Sequence, residues 1–263
     1  MELVQLSPWD LSLAAGLILL LSGLSVLSGL GIGRQFLIAA ARTVIQLLLV
    51  GMVLEMLFTT TQPLWLLPVA LFMLGMATRE VVARQKYPFT GLWSYGLGTL
   101  SMFISAFTLT LMALTVVINP EPWHAPQYAI PLLGMVLGNT MSGVAIALER
   151  LTTGARERRM VIEQRLMLGQ PWAEAFSSTR VDAMRAGMIP TINGMATAGV
   201  VSLPGMMTGQ ILAGVPPIEA VKYQILVMFL VSAGAGFGAM AAVAMASRRL
   251  FDPRHRLRLD RLR

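Results

Sequence analysis

The sequence has no cysteine. That excludes a disulfide, a thiolate metal site and a cysteine nucleophile. Histidine is nearly absent, with His124 and His255 far apart in the chain and no acidic cluster beside either. No His/Asp/Glu grouping with metal-ligand spacing exists, nor an HExxH or a Ser/His/Asp set, which argues against a tight metal site and against hydrolase chemistry. Lysine stands only at Lys86 and Lys222, each followed by tyrosine. A P-loop needs Gly-Lys followed by Ser or Thr, so the chain does not bind ATP by that motif. Charge is scarce too, at 13% of residues, against about 25% in soluble domains.

What replaces charge is apolar bulk. Of 263 residues 56% are hydrophobic, and the mean hydropathy is +0.69. A soluble core of this length cannot hide so much apolar surface. A spanning helix needs about 20 apolar residues, and seven runs qualify or nearly so. They are Leu11–Ile32, Gln35–Leu57, a third with its core at Leu64–Met76, Leu92–Ile118, Gln127–Leu148, Gly187–Val215 and Tyr223–Ala246. The runs are continuously apolar, unlike the alternating strands of a membrane barrel. No basic residue precedes Arg34, so the first run lacks the positive flank of a cleaved signal and reads as a retained helix. The fold class is all-α, a polytopic membrane protein with about seven transmembrane helices. Residues 1–247 form one transmembrane domain, with a cytoplasmic segment at 149–187, and 248–263 form a basic tail.

Alternation of seven spans places 19 of the 20 Lys and Arg on one face. The opposite face holds Lys222 together with Glu2, Asp10, Glu55, Glu121 and Glu219. The positive-inside rule then puts the N-terminus outside and the C-terminus in the cytoplasm. Six spans would split the basic loops between faces. The net charge of +7 is thus a topology and anionic-lipid signal rather than a nucleic-acid one. Trp9, Trp65, Trp93 and Trp123 fall near run ends as interfacial anchors, while Trp172 lies in the cytoplasmic segment.

That segment reads as one or two amphipathic helices broken near Gly169-Gln170-Pro171. Leu166, Trp172, Ala175 and Phe176 make an apolar stripe, with Arg158, Arg165, Glu174 and Arg180 facing water. Pro171 suits the first turn of a new helix. An apolar-faced helix here either lies on the lipid interface or docks into a partner's groove.

Glu163-Gln164-Arg165-Leu166-Met167-Leu168-Gly169 resembles the EAA-type coupling segment of ABC-transporter permeases, the loop that docks on the ATPase. Gln164 and Arg165 replace the usual alanines. The ordered set Arg42-Thr43-x-x-Gln46-Leu47, Gly134-Met135-x-x-Gly138-Asn139-x-Met141, Leu148-Glu149-Arg150-Leu151, Ile189-Pro190-Thr191-Ile192-Asn193, Val201-Ser202-Leu203-Pro204-Gly205-Met206-Met207-Thr208-Gly209-Gln210 and Tyr223-Gln224-Ile225 resembles the FetB-like permease family. Members are membrane subunits of iron-export ABC transporters, with plant relatives linked to aluminium tolerance. The resemblance covers roughly residues 10 to 247. It implies a homodimer in a bacterial inner membrane, working with a separate cytoplasmic ABC ATPase that carries the ATP and magnesium, so that this chain is no enzyme and holds no cofactor. It also implies ATPase coupling through Glu163, Leu168, Gly169, Pro171 and Trp172.

Several polar and flexible positions are candidates for a substrate pathway. Pro204-Gly205 interrupts the helical hydrogen-bond ladder of the sixth run, and transporters use such breaks for substrate sites. Freed carbonyls, Met206, Met207, Thr208 and Gln210 would then face a pathway; the alternative is a proline kink packed on a neighbour. Arg42 and Gln46 share one face of the second span, either as a gate or with Arg42 snorkelling to the near interface. Glu55, about 20 Å further along that helix, is an exit ligand or an ordinary interfacial acid. Asn139 ligates a cation or bridges helices, and Met141 and Asn193 lie in the same family motifs. Iron(II) favours imidazole and oxygen ligands and thioethers favour copper(I), so iron rests on the resemblance. Gly29-x3-Gly33 and Gly234-x3-Gly238 match small-residue helix packing. Two rival readings are a gradient-driven secondary transporter or channel, and a non-transporting membrane scaffold or sensor.

Overall fold

Apolar stretches of this length fold as helices because lipid offers no partner to backbone N–H and C=O groups, which must bond within their own segment. The computed structural model bears this out. It describes residues 7–59 and 65–263; Glu2 and Leu64, used above, lie outside them. Among the described residues there are ten α-helices and no strand. They are α1 (Pro8–Leu27), α2 (Gly33–Thr59), α3 (Leu66–Ala83), α4 (Trp93–Ile118), α5 (Pro126–Glu157), α6 (Arg159–Met167), α7 (Trp172–Ala175), α8 (Ser177–Thr197), α9 (Gly205–Leu212) and α10 (Pro217–Leu250). Of these, α1 to α5 and α10 are six helices long and apolar enough to cross a membrane.

The sixth apolar run is the exception. Its residues are divided between the second half of α8 and the short α9, with a turn between them. The turn closes on itself, as Gly199 N–H donates to the Ser202 carbonyl at 2.9 Å and Val201 N–H to that of Thr197 at 3.0 Å. Pro204 lies at the end of this turn and its carbonyl accepts from Thr208 N–H at 3.1 Å, starting α9. The run is therefore an interrupted helix, and its break covers residues 198–204 rather than Pro204-Gly205 alone.

The described chain forms two units. The first holds α1 and α2 with Leu212–Gly214. Ser7 and Asp10 cap α1 reciprocally, Ser7 N–H donating to Asp10 Oδ2 at 2.8 Å and Asp10 N–H to Ser7 Oγ at 3.4 Å, the capping-box pattern. Gly29 takes φ +65° in the turn to α2 and touches nothing, whereas a Cβ on Gly33 would meet the Ser22 carbonyl at 2.8 Å. Of the Gly29-x3-Gly33 pair, then, only Gly33 packs helices; Gly29 supplies the left-handed turn.

The second unit is built on α10 and α5, with α8, α3 and α4 packed around them. Its central contacts are between small residues. A Cβ on Gly238 would fall 2.6 Å from Thr140 Cγ2, one on Gly234 2.8 Å from Thr140 Oγ1, and one on Gly187 2.6 Å from the Gly143 carbonyl. Ala235, Ala239, Ala242 and Ala246 are fully buried along the same face of α10. Such close backbone approach maximises dispersion between helices that lipid does not push together. In α4, π-helical turns at Phe103–Phe107 and Ala113–Ile118 re-aim the helix, and place Ser105 Oγ 3.0 Å from the Cβ position of Gly238. The Thr78 and Thr99 hydroxyls join α3 to α4 at 2.9 Å.

Candidate functional site

At one end of the second unit, α5 runs nine residues past the Leu148 expected as its limit, and α6, α7 and the start of α8 continue from it. This end carries most of the arginines. Glu149 anchors the α3–α4 loop, its carboxylate accepting from Lys86 N–H at 2.6 Å and from the Thr153 hydroxyl at 2.9 Å. The Arg156 guanidinium lies 4.1 Å over the Tyr87 ring. Arg158 pairs with Asp182 at 2.9 Å, tying the α5–α6 junction to α8.

Helix α6 has two faces. Ile162 is buried and Leu166 half-buried against the body. Met160, Met167 and Leu168 face away and are 74%, 79% and 84% exposed, with Val161 also exposed. Glu163 pairs with Arg159 one turn back at 2.8 Å. The helix ends in a Schellman arrangement, Gly169 N–H donating to the Leu166 carbonyl at 3.0 Å and Gln170 N–H to that of Arg165 at 3.1 Å, with Gly169 at φ +87°. That left-handed residue favours glycine. Pro171 precedes α7 as its cap rather than lying in its first turn.

The expected stripe of Leu166, Trp172, Ala175 and Phe176 does not face a partner. Ala175 and Phe176 are buried and Trp172 is half-buried. What covers them is the C-terminal tail. Phe251 stacks on Trp172 at 5.3 Å and meets Phe176 edge-on at 5.3 Å, and His255 Nδ1 accepts from Trp172 N–H at 3.2 Å. The tail is folded, not free. Thr90 N–H donates to the Arg261 carbonyl at 2.9 Å and Arg263 N–H to that of Pro88 at 2.8 Å. Bidentate bonds from Arg258 at 2.9 and 2.8 Å hold Asp260 down at about 2. The Arg256 N–H, then its guanidinium, holds Asp252 below the ordinary carboxylate range. Helix α6 thus turns outward Met160, Val161, Met167 and Leu168, of which Leu168 is a coupling residue expected from the sequence.

The pathway candidates divide between the two units. Arg42, Gln46 and Glu55 are all on exposed faces of α2. Asn139 is exposed on α5, and its amide donates to its own helix at the Met135 carbonyl, 2.9 Å, rather than bridging helices. Met141 is half-buried on α5, and Asn193 is exposed on α8 just before the break. Met206, Met207 and Gln210 are half-buried on α9, which Pro204 introduces. Among the side-chain oxygens of this unit that are buried with no hydrogen-bond partner are the amide oxygens Gln85 Oε1, Gln210 Oε1 and Gln224 Oε1. Uncoordinated amide oxygens are costly in a dry interior unless something fills them. In the sequence Gln224 stands out only as part of the Tyr223-Gln224-Ile225 motif; its burial on α10 is a property of the fold. No group of three or more His, Asp and Glu that could hold a metal ion occurs among the described residues.

Comparison with known proteins gives one consistent answer. A model of an uncharacterised protein family, UPF0014, matches residues 8–251. The chain is 38% identical over 255 residues to a UPF0014 membrane protein of Synechocystis, covering 97% of this chain and 98% of that one. It is 31% identical over 261 residues to the Escherichia coli protein named probable iron export permease protein FetB, covering 97% and 96%. It is 30% identical over 217 residues to ALUMINUM SENSITIVE 3 of Arabidopsis thaliana, covering 82% and 77%. No solved structure matches it.

Proposed function

The chain belongs to the UPF0014 family of membrane proteins, and from that premise we propose that it is the permease subunit of an ABC exporter for a metal cation, iron foremost, driven by a separate ATPase. The carrying observation is the apolar tip formed by Met160, Val161, Met167 and Leu168, outside every candidate span and turned away from the protein. An apolar cluster exposed among arginines is the expected anchor for a partner groove. The E. coli relative's name supports iron as the cargo.

In this reading the basic end lies in the cytoplasm of a bacterial inner membrane and the permease works as a homodimer. The tip is joined to two helices. It follows α5 directly through the Arg158–Asp182 tie, and it leads through α7 into α8. Closure of the ATPases would push α6, and α8 would carry that displacement to the break at residues 198–204, where a hydrogen-bonded ladder does not resist bending. Trp172, pinned under the tail, positions the tip rather than touching the partner. The buried oxygens of Gln210 and Gln224 offer hard donors suited to transient passage of a cation such as iron(II).

The test is metal flux in proteoliposomes. Iron(II) should move only when the ATPase and ATP are present. Flux from the permease alone, down a gradient, would overturn the ATP-driven reading, and no flux of any metal would overturn transport.

A further inference from the structure

A groove of about 590 Å³ runs between the start of α4 and the end of α10. Its walls are apolar, from Leu97, Leu100 and Met245, and Gly96 leaves it open, since a Cβ there would meet nothing within 4 Å. Its rim is basic, from Arg248, Arg249 and Arg261. The Arg249 guanidinium lies 4.5 Å from the Trp93 ring, and its Nε is buried without an acceptor. Arg261 Nη1 donates to the Arg249 carbonyl at 2.6 Å, closing the end of α10. The nearby carboxylate, Asp260, is already held by both Arg258 nitrogens. No ion pair reaches Arg248 or Arg249 among the described residues.

The groove therefore presents positive charge that no ion pair answers at the end of two membrane spans, and an apolar trough leading from it along α4. A ligand that satisfies both has an anionic head and a long apolar tail. We propose that this groove is a binding site for an anionic phospholipid, whose phosphate lies on Arg248 and Arg249 and whose acyl chain lies along Gly96, Leu100 and Met245. Trp93 opens the α4 span, the position interfacial tryptophans take. Charge-assisted hydrogen bonds from arginine to phosphate supply the specificity. A free phosphate would use the rim and leave the trough empty. The proposal rests on α4 and α10 spanning the membrane and is independent of what the protein transports.

The experiment measures phospholipid bound to the purified full chain in neutral detergent, by native mass spectrometry. Phosphatidylglycerol is compared with phosphatidylcholine of identical acyl chains. Phosphatidylglycerol should bind at least about tenfold more tightly. Arg248→Gln and Arg249→Gln should each weaken it about fivefold, the effect of one basic residue near an anionic headgroup, while Arg249→Lys keeps most of the affinity. Gly96→Leu fills the trough without touching charge and should lower binding of both lipids with the melting temperature unchanged. Arg248 is exposed, so its variant reports even where an Arg249 change disturbs folding. Equal binding of the two lipids would overturn the site. So would an unchanged lipid preference and affinity in Gly96→Leu, which would mean diffuse surface charge. Displacement by millimolar inorganic phosphate would reassign the rim to a free anion and overturn the lipid.

Discussion

Truncating Leu168 separates docking from folding. The residue is 84% exposed and follows the last turn of α6, so Leu168→Ala removes almost no contact inside the permease. Substitutions at such positions change stability by no more than about 0.5 kcal/mol. If the ATPase encloses this side chain, the loss on binding is that of burying a leucine, about 1.5–3 kcal/mol. At 1.4 kcal/mol per decade this is a weakening of roughly tenfold to a hundredfold. Met167→Ala, at 79% exposure, should behave similarly. The assay titrates a cognate ABC ATPase onto immobilised, detergent-solubilised permease, with thermal unfolding of the permease alone in parallel. Stimulated ATP hydrolysis should fall with occupancy. An affinity within twofold of wild type, at an unchanged melting temperature, would refute the assignment of this tip as the docking element. A clear drop in melting temperature would refute the premise that Leu168 makes no internal contact.

Three further outcomes follow from the same geometry. Gly238→Val should destabilise the permease by about 1–3 kcal/mol, because its Cβ would fall 2.6 Å from Thr140 Cγ2; Gly236→Ala, whose nearest neighbour is Met188 Sδ at 3.8 Å, should leave the melting temperature in detergent unchanged. Trp172→Ala should cost about 2 kcal/mol, less than a fully buried tryptophan, and should expose the tail after Phe251 to trypsin, since the indole stack on that ring is lost. The tail should also loosen in acid. Asp252 and Asp260 are held below their ordinary 3.8, so what they contribute is fully present above about pH 4 and is lost as pH falls through their lowered values, the share of Asp260 at about 2. Pepsin cleavage of the tail should rise across that window, and Asp260→Asn should give a looser tail at neutral pH, read by trypsin.

Local chemistry made most of the architecture readable. A spanning helix must satisfy its backbone within one segment, so the apolar runs of α1, α2, α4, α5 and α10 are visible in the residues that compose them. The Gly234-x3-Gly238 spacing likewise points to close packing, and both glycines lie against Thr140. Gly29 had the same spacing with Gly33 and did not pack, because spacing says nothing of where a helix stops; α1 ends at Leu27.

The segment at 149–187 shows where sequence stops being sufficient. Its break near Gly169 was legible, since a positive φ and a proline are local requirements. Which of its apolar faces turns outward was not. Trp172 and Phe176 carry the stronger hydrophobic signal, yet Phe251 and His255, about 80 residues away in the chain, cover them. The folded basic tail is what reverses the stripe. For the same reason the arginines, countable in the sequence as a topology signal, become a site only where α4 and α10 meet. The sequence by itself determined a multi-span helical membrane protein with a bend before Pro171, because those features depend on neighbours a few residues apart; whether the sixth run is broken or only kinked was decided by the structure, which breaks it at residues 198–204. The tertiary structure alone decided that Leu168 faces outward, that Trp172 faces inward, and that Arg248 and Arg249 rim an apolar groove, because each depends on contacts between segments that chain order does not place together.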